Sequence, residues 1–143
     1  MSTADYIEVL SRCGGSFQEL PRRERWRLMQ AWRDVYAASL HAQTGAWKRG
    51  ELDWHVFSFG HAHALRGSKA QHAYALEPPG ALLVIPESEA LPAVRLEGEG
   101  LPDFSLLRQD LYVWPPDLAW TMAFTHELPG GNGPYFSRRE WMD

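Results

Sequence analysis

Cysteine is nearly missing from this chain, with Cys13 alone among 143 residues. A single thiol excludes an internal disulfide and any metal site built from several cysteines. Long apolar runs are missing as well, and none approaches the roughly 20 residues of a membrane span. The opening MSTADYIEVL has no basic n-region and no long apolar core, so no secretory signal is expected and the expected compartment is the cytoplasm. Basic charge is also short: 14 Lys and Arg against 18 Asp and Glu leave a net charge of −4. Such a balance lacks the cationic footprint of a protein held to nucleic acid by counterion release. With no repeat, low-complexity tract or linker, residues 1–143 read as a single domain, a size that buries about two thirds of its unfolded surface.

Aromatic residues are plentiful: seven Trp, five Tyr and six Phe. They fit a well-filled core and also an adhesive surface, and the count does not separate these uses. Tyr6, Val9, Leu10 and Cys13 lie at helical spacing, which predicts a first helix over 5–13, ended by Gly14-Gly15. Pro21 suits a first helical position. Leu28, Met29, Trp32, Val35, Tyr36 and Leu40 then make one apolar stripe opposite Arg23, Arg27, Gln30 and Asp34.

Beyond the polar passage 43–51, DWHVFSF is aromatic and β-branched and predicts a strand over 54–59. Ser68 caps a predicted helix through Leu76, stopped by Pro78-Pro79-Gly80, and ALLVIP reads as a strand buried on both faces. That strand–helix–strand order favours a parallel pair with a right-handed crossover. Val94-Arg95-Leu96 reads as a brief edge strand, and DFSLLRQ as one or two helical turns capped by Asp103. LYVW and AWTMAFTHE form a hairpin around Pro116-Asp117, with PYFSRR returning as a last strand. The expected fold is α+β: N-terminal helices on a mixed, largely antiparallel sheet of four to five strands with a C-terminal hairpin.

Several patterns are candidates for chemistry. Along an extended 120–127, Trp120, Met122, Phe124 and His126 share a face that should pack on the helices, and Thr121, Ala123, Thr125 and Glu127 share the other. His126 is then either a ring hydrogen-bonded at the edge of the core or an acid/base or ligand group. Neighbours on a strand diverge, so His126 and Glu127 make a poor dyad. An unbroken strand from 54 would put His55, His61 and His63 on one face, where a His-x-His pair is a recurrent metal-binding arrangement. Its further ligands would come from His126, Glu127 or His72. PGGNGP lacks the Lys-Ser/Thr and following helix of a phosphate loop and reads as a turn. Cys13, Ser58 and Ser137 have no nucleophile context, and the arginines at 22, 23, 25 and 27 read as a solvated face paired with Glu24 and Asp34.

WHVFSFG at 54–60, ALRGSKA at 64–70, and DLYVWPPDLAWTMAFTHE leading to GPYF resemble a family of short uncharacterised bacterial proteins, known as a domain of unknown function. The resemblance covers residues 50–138, and its most specific part is the hairpin ending in Thr-His-Glu followed by Gly-Pro-Tyr-Phe. The His61-x-His63 pair is not part of that pattern, and the family carries over no catalytic residues. In size and hairpin ending the chain is also similar to immunity proteins of toxin–immunity systems.

The leading reading is a non-enzymatic bacterial module that binds a protein, in its specific form an immunity protein that occludes a toxin. Acidic surfaces suit basic toxins because complementary charge speeds association. The contacts expected are Glu87, Glu89, Glu97, Glu99 and Asp103 in the acidic segment 87–103, with Asn132 in the loop 128–134. This reading involves no cofactor, nucleic acid or membrane. The alternatives are a metal-dependent enzyme or metal-binding protein using His55, His61, His63, His126 and Glu127, and a small-molecule sensor with an aromatic pocket.

Overall fold

The computed structural model describes residues 3–38, 53–58, 60–127 and 132–142. Helix α1 spans Thr3–Arg12 and turns through Gly14 and Gly15, both at positive φ, into strand β1, Ser16–Glu19. Pro21 then precedes helix α2, Arg22–Tyr36, which buries Met29, Trp32 and Tyr36 of the predicted stripe. Leu40 and the passage 43–51 lie outside the described residues.

Residues 54–58 are not the expected strand. His55–Ser58 form a single helical turn, α3, because the backbone closes on itself: Val56 N–H donates to Asp53 O and Phe57 N–H to Trp54 O. Val56 and Phe57 are both buried, which suits one turn of helix better than strand alternation. Strand β2, Leu65–Arg66, and helix α4, Ser68–Ala75, follow. The remaining strands are β3 (Ala81–Pro86), β4 (Val94–Glu97), β5 (Leu111–Trp114), β6 (Trp120–Phe124) and β7 (Tyr135–Arg138). A 3₁₀ turn over Arg139–Trp141 closes the described chain.

Among the described residues the strands make one seven-stranded sheet in the order β1-β4-β3-β5-β6-β7-β2. Every pairing is antiparallel. The α+β class holds, while the sheet has more strands than the four to five expected and is not mixed. The predicted parallel unit fails because its first strand is the helical turn α3, and the short β2 that precedes α4 instead lies on the far edge, paired with β7, while β3 is central. Nor is β4 an edge, since β1 covers it.

The central strands β3, β5 and β6 are buried on both faces. On one, Leu82, Val84, Leu96, Val113, Met122 and Phe136 pack beneath Tyr6 and Leu10 of α1 and Tyr74 of α4. On the other, Leu83, Ile85, Tyr112, Trp114 and Ala123 pack beneath Trp32 and Tyr36 of α2 and Phe57 of α3. The two N-terminal helices thus sit on opposite faces. This explains why ALLVIP is apolar without alternation: side chains pointing either way meet a helix. The one buried hydroxyl of β6 is satisfied, with Trp32 Nε1–H donating to Thr121 Oγ1 at 2.9 Å. The β5–β6 turn matches expectation. Leu118 N–H donates to Pro115 O, so Pro116 and Asp117 are its central residues.

Candidate functional site

Strand register gathers polar groups at one end of the sheet. Pro86 pairs with Leu111 and Leu111 with Phe124, so Glu87, Asp110 and the residues after Phe124 emerge side by side. Glu87 N–H donates to Asp110 O at 2.8 Å, which ties two of these ends together. The segment 53–58 lies across this end, and its first residues are held by side chains. Arg33 Nε and Nη2 donate to Asp53 Oδ1 and Oδ2 at 2.8 and 3.0 Å. Asp53 N–H and Tyr112 O–H both donate to Glu87 Oε1, at 3.1 and 2.7 Å. Trp54 N–H in turn donates to Tyr112 Oη at 2.9 Å.

Two carboxyl groups therefore meet in a nearly dry place. Burial, then the Asp53 carboxylate, push the Glu87 carboxyl above the usual range, while the Tyr112 hydrogen bond pulls the other way. Arg33 is held in its charged form chiefly by its hydrogen bonds to Asp53. Glu87 is therefore pushed toward its protonated form. Burial and then Glu87 push the Tyr112 hydroxyl far up, so it serves as a neutral donor.

Next to this pair, His126 N–H donates to Asp110 Oδ1 at 2.9 Å, and its ring Nδ1 lies 2.9 Å from both carboxylate oxygens. With Nδ1 as the donor, the other ring nitrogen carries the lone pair. The ring is exposed and meets the Trp54 indole edge-on, with centroids 5.8 Å apart. Trp54 Nε1 is the one buried side-chain polar atom without a hydrogen-bond partner among the described residues.

One depression borders these groups, and another lies by the start of β3. A cleft of about 240 Å³ opens between α2 and the end of β3, lined by Trp26, Met29, Arg33, Asp53, Glu87 and Tyr112 among others. Arg22 bridges its mouth to Glu89 at 3.1 Å. Elsewhere, a groove of about 350 Å³ runs between the end of α4 and the loop 99–103. Glu77, Glu99 and Asp103 line it together with Tyr74, Pro79 and Leu101, and its lining includes neither Lys nor Arg. Glu77 is already paired, since Arg138 Nη2 donates to it.

The residues singled out from sequence scatter over this frame. Glu99 and Asp103 reach the groove; Asp103 also accepts from Ser105 N–H and Oγ–H, but it caps a single turn at 105–107 and not the helical turns expected. Glu89 is at the cleft, and Glu97 pairs with Arg95 at 3.4 Å on β4. Glu87 is turned inward and hydrogen-bonded. Asn132 is exposed and its N–H donates to Glu127 Oε2, while 128–131 lie outside the described residues. The arginines do not pair as expected: Arg25 donates to the carbonyls of Pro86, Ser88 and Leu91.

The histidines do not converge on one point. His126 leaves the core face, because the strand ends at Phe124 and Asp110 takes both its backbone and its ring. Glu127 folds the other way, accepting from Gly133 N–H and Tyr135 O–H at 3.1 Å. His55 Nδ1 lies 3.0 Å from Ser58 Oγ within α3, and the His63 ring rests edge-on against Trp141. Without the strand at 54–59, the alternation that aligned His55 with His61 and His63 is gone. No group of three or more His, Cys, Asp or Glu able to hold a metal ion occurs among the described residues. Sequence reading missed Arg33, Asp53, Tyr112 and Asp110. Strand register places Asp110 and Tyr112 here, and α2 and the approach to α3 bring Arg33 and Asp53, a convergence of which no short-range pattern carries a sign. Comparisons with protein-family models, with curated proteins and with solved structures find no match to this chain.

Proposed function

We propose that this chain is a protein-binding module that receives a basic segment of its partner in the acidic groove between α4 and the loop 99–103. One observation carries the reading. The lining includes Glu99 and Asp103 and no lysine or arginine, with Glu77 paired to Arg138, and two large apolar side chains are exposed close in sequence to lining residues. Leu76, between the lining residues Ala75 and Glu77, is 72% exposed, and Leu106, in the turn that Asp103 caps, is 93% exposed. Acidic walls steer a basic partner and set its orientation, while apolar contacts slow its release. A basic toxin, occluded by this module as by an immunity protein, is the partner class that this chemistry favours.

The test is affinity capture from the source cells with three baits: wild type, Glu99→Lys and Leu106→Asp. Both side chains are exposed, so neither variant should lower stability by more than the roughly 0.5 kcal/mol usual for surface changes. The expected result is a basic protein held by wild type and lost, at least about tenfold, with both variants. Capture that survives both changes would overturn the reading.

A second reading rests on the Asp110–His126 pair. A carboxylate on Nδ1 fixes the ring and leaves the other nitrogen to accept a proton, the arrangement of a general base. Its test is a panel of ester, amide and phosphate substrates, assayed with wild type and His126→Ala. Hydrolysis lost in the variant supports this reading, and turnover unchanged in the variant ends it.

A further inference from the structure

Among the described residues, strand β1 leaves one side of the sheet open. All of Ser16–Glu19 is exposed, and β1 is terminal in the strand order. Its inner side is fixed by the continuous register from Ser16↔Glu97 to Glu19↔Val94, and Leu20 N–H extends it by donating to Ala93 O at 2.8 Å. Hydrogen-bonded pairs alternate along an antiparallel ladder. Gln18 and Ser16 therefore share the inward direction of Leu20, and Phe17 and Glu19 point their N–H and C=O groups outward. The stretch has no proline, no lysine and no bulge in its register, and only its four-residue length and Glu19 guard it as an edge. The Phe17 side chain, beside Leu96 in the register, is 37% exposed.

We infer that β1 is a pairing edge for a second copy of this chain, joined antiparallel about a twofold axis through Gln18. In that register Phe17 faces Glu19 of the second copy, and every outward N–H and C=O of both residues finds a partner. A shift centred on Glu19 would set two carboxylates directly opposite each other, which is destabilising. A shift centred on Phe17 would set Glu19 against Gly15, whose φ of 66° takes it out of the extended conformation. The other edge of the sheet offers no rival. β2 has only two residues, and Arg66 is bonded to Phe57 O and lies over the Tyr135 ring. Head-to-tail stacking of β1 on β2 is therefore disfavoured, and the pairing closes as a symmetric dimer. An edge this short gives less than the roughly 1,000 Å² of a stable interface, so the dimer depends on concentration.

The pairing is tested by sedimentation velocity over about a hundredfold range of concentration. Wild type should pass from monomer to dimer. Phe17→Pro removes an outward N–H and leaves the Ser16 and Gln18 bonds to β4 in place, so it should stay monomeric with unchanged melting. Phe17→Lys, a second way of guarding the edge, should do the same. Gln18→Cys in a Cys13→Ala background adds a positive readout. Side chains opposite each other in a non-hydrogen-bonded pair are close enough for a disulfide, so oxidation should yield a covalent dimer, which Glu19→Cys should not. Monomeric wild type at every concentration, or a dimer that survives Phe17→Pro, would overturn the inference. If wild type is monomeric alone and Phe17→Pro abolishes capture of a partner protein, the edge belongs to that partner and the assignment to a second copy is wrong.

Discussion

Glu87 shows most plainly what one residue does here. Its carboxyl receives Tyr112 O–H and Asp53 N–H and lies beside the Asp53 carboxylate. Because its folded pKa is raised, its contribution to stability is fully present below the unfolded value, near 4.3, and is lost as pH rises through the folded value. Glu87→Gln keeps the shape and the acceptor and cannot ionise. Thermal melts at pH 5 and pH 8 should show the variant at least as stable as wild type at the higher pH, with less fall between the two. Glu87→Ala should instead cost about 1–3 kcal/mol at both, because it strands buried donors. Gly15 makes a separate case. It combines a φ of 66° with a position where any Cβ would overlap the Glu97 carbonyl oxygen, so Gly15→Ala should cost at least about 1–3 kcal/mol in chemical denaturation.

Among the elements, the short turn α3 depends most on distant partners. Its approach is held by Arg33 on Asp53 and by Tyr112 on Trp54 N–H. Tyr112→Phe should cost about 1–3 kcal/mol and speed amide exchange over 53–58 ahead of the central strands. Unchanged exchange there would refute the latch. The same element marks what sequence could reveal. Helix α2, ALLVIP and the Pro116-Asp117 turn were legible because each writes its structure in local spacing or turn chemistry. Residues 54–59 misled because aromatic and β-branched residues also suit one buried helical turn. Strands β1 and β2 left no mark, being four and two residues long with partners remote in sequence. Of the groove, Glu99 and Asp103 were foreseen as acidic contacts. Tyr74 and Glu77, which complete it, come from a helix end that only folding brings opposite them.

Across the whole molecule, helices on both faces leave little of the sheet to meet a partner, so contacts fall to its edges and to the loops and helix ends around it. No helix among the described residues is long and apolar enough to cross a membrane. The net charge of −4 adds long-range attraction for a basic protein. Association should therefore weaken steeply with added salt, and stopped-flow rates should fall at least about tenfold from low to physiological ionic strength. A rate indifferent to salt would remove charge from the account. The most direct measurement is hydrogen exchange on this chain with and without its captured partner. The groove account predicts protection over 71–79 and 98–107. Protection confined to α2 and 53–58, with the groove unchanged, would contradict it.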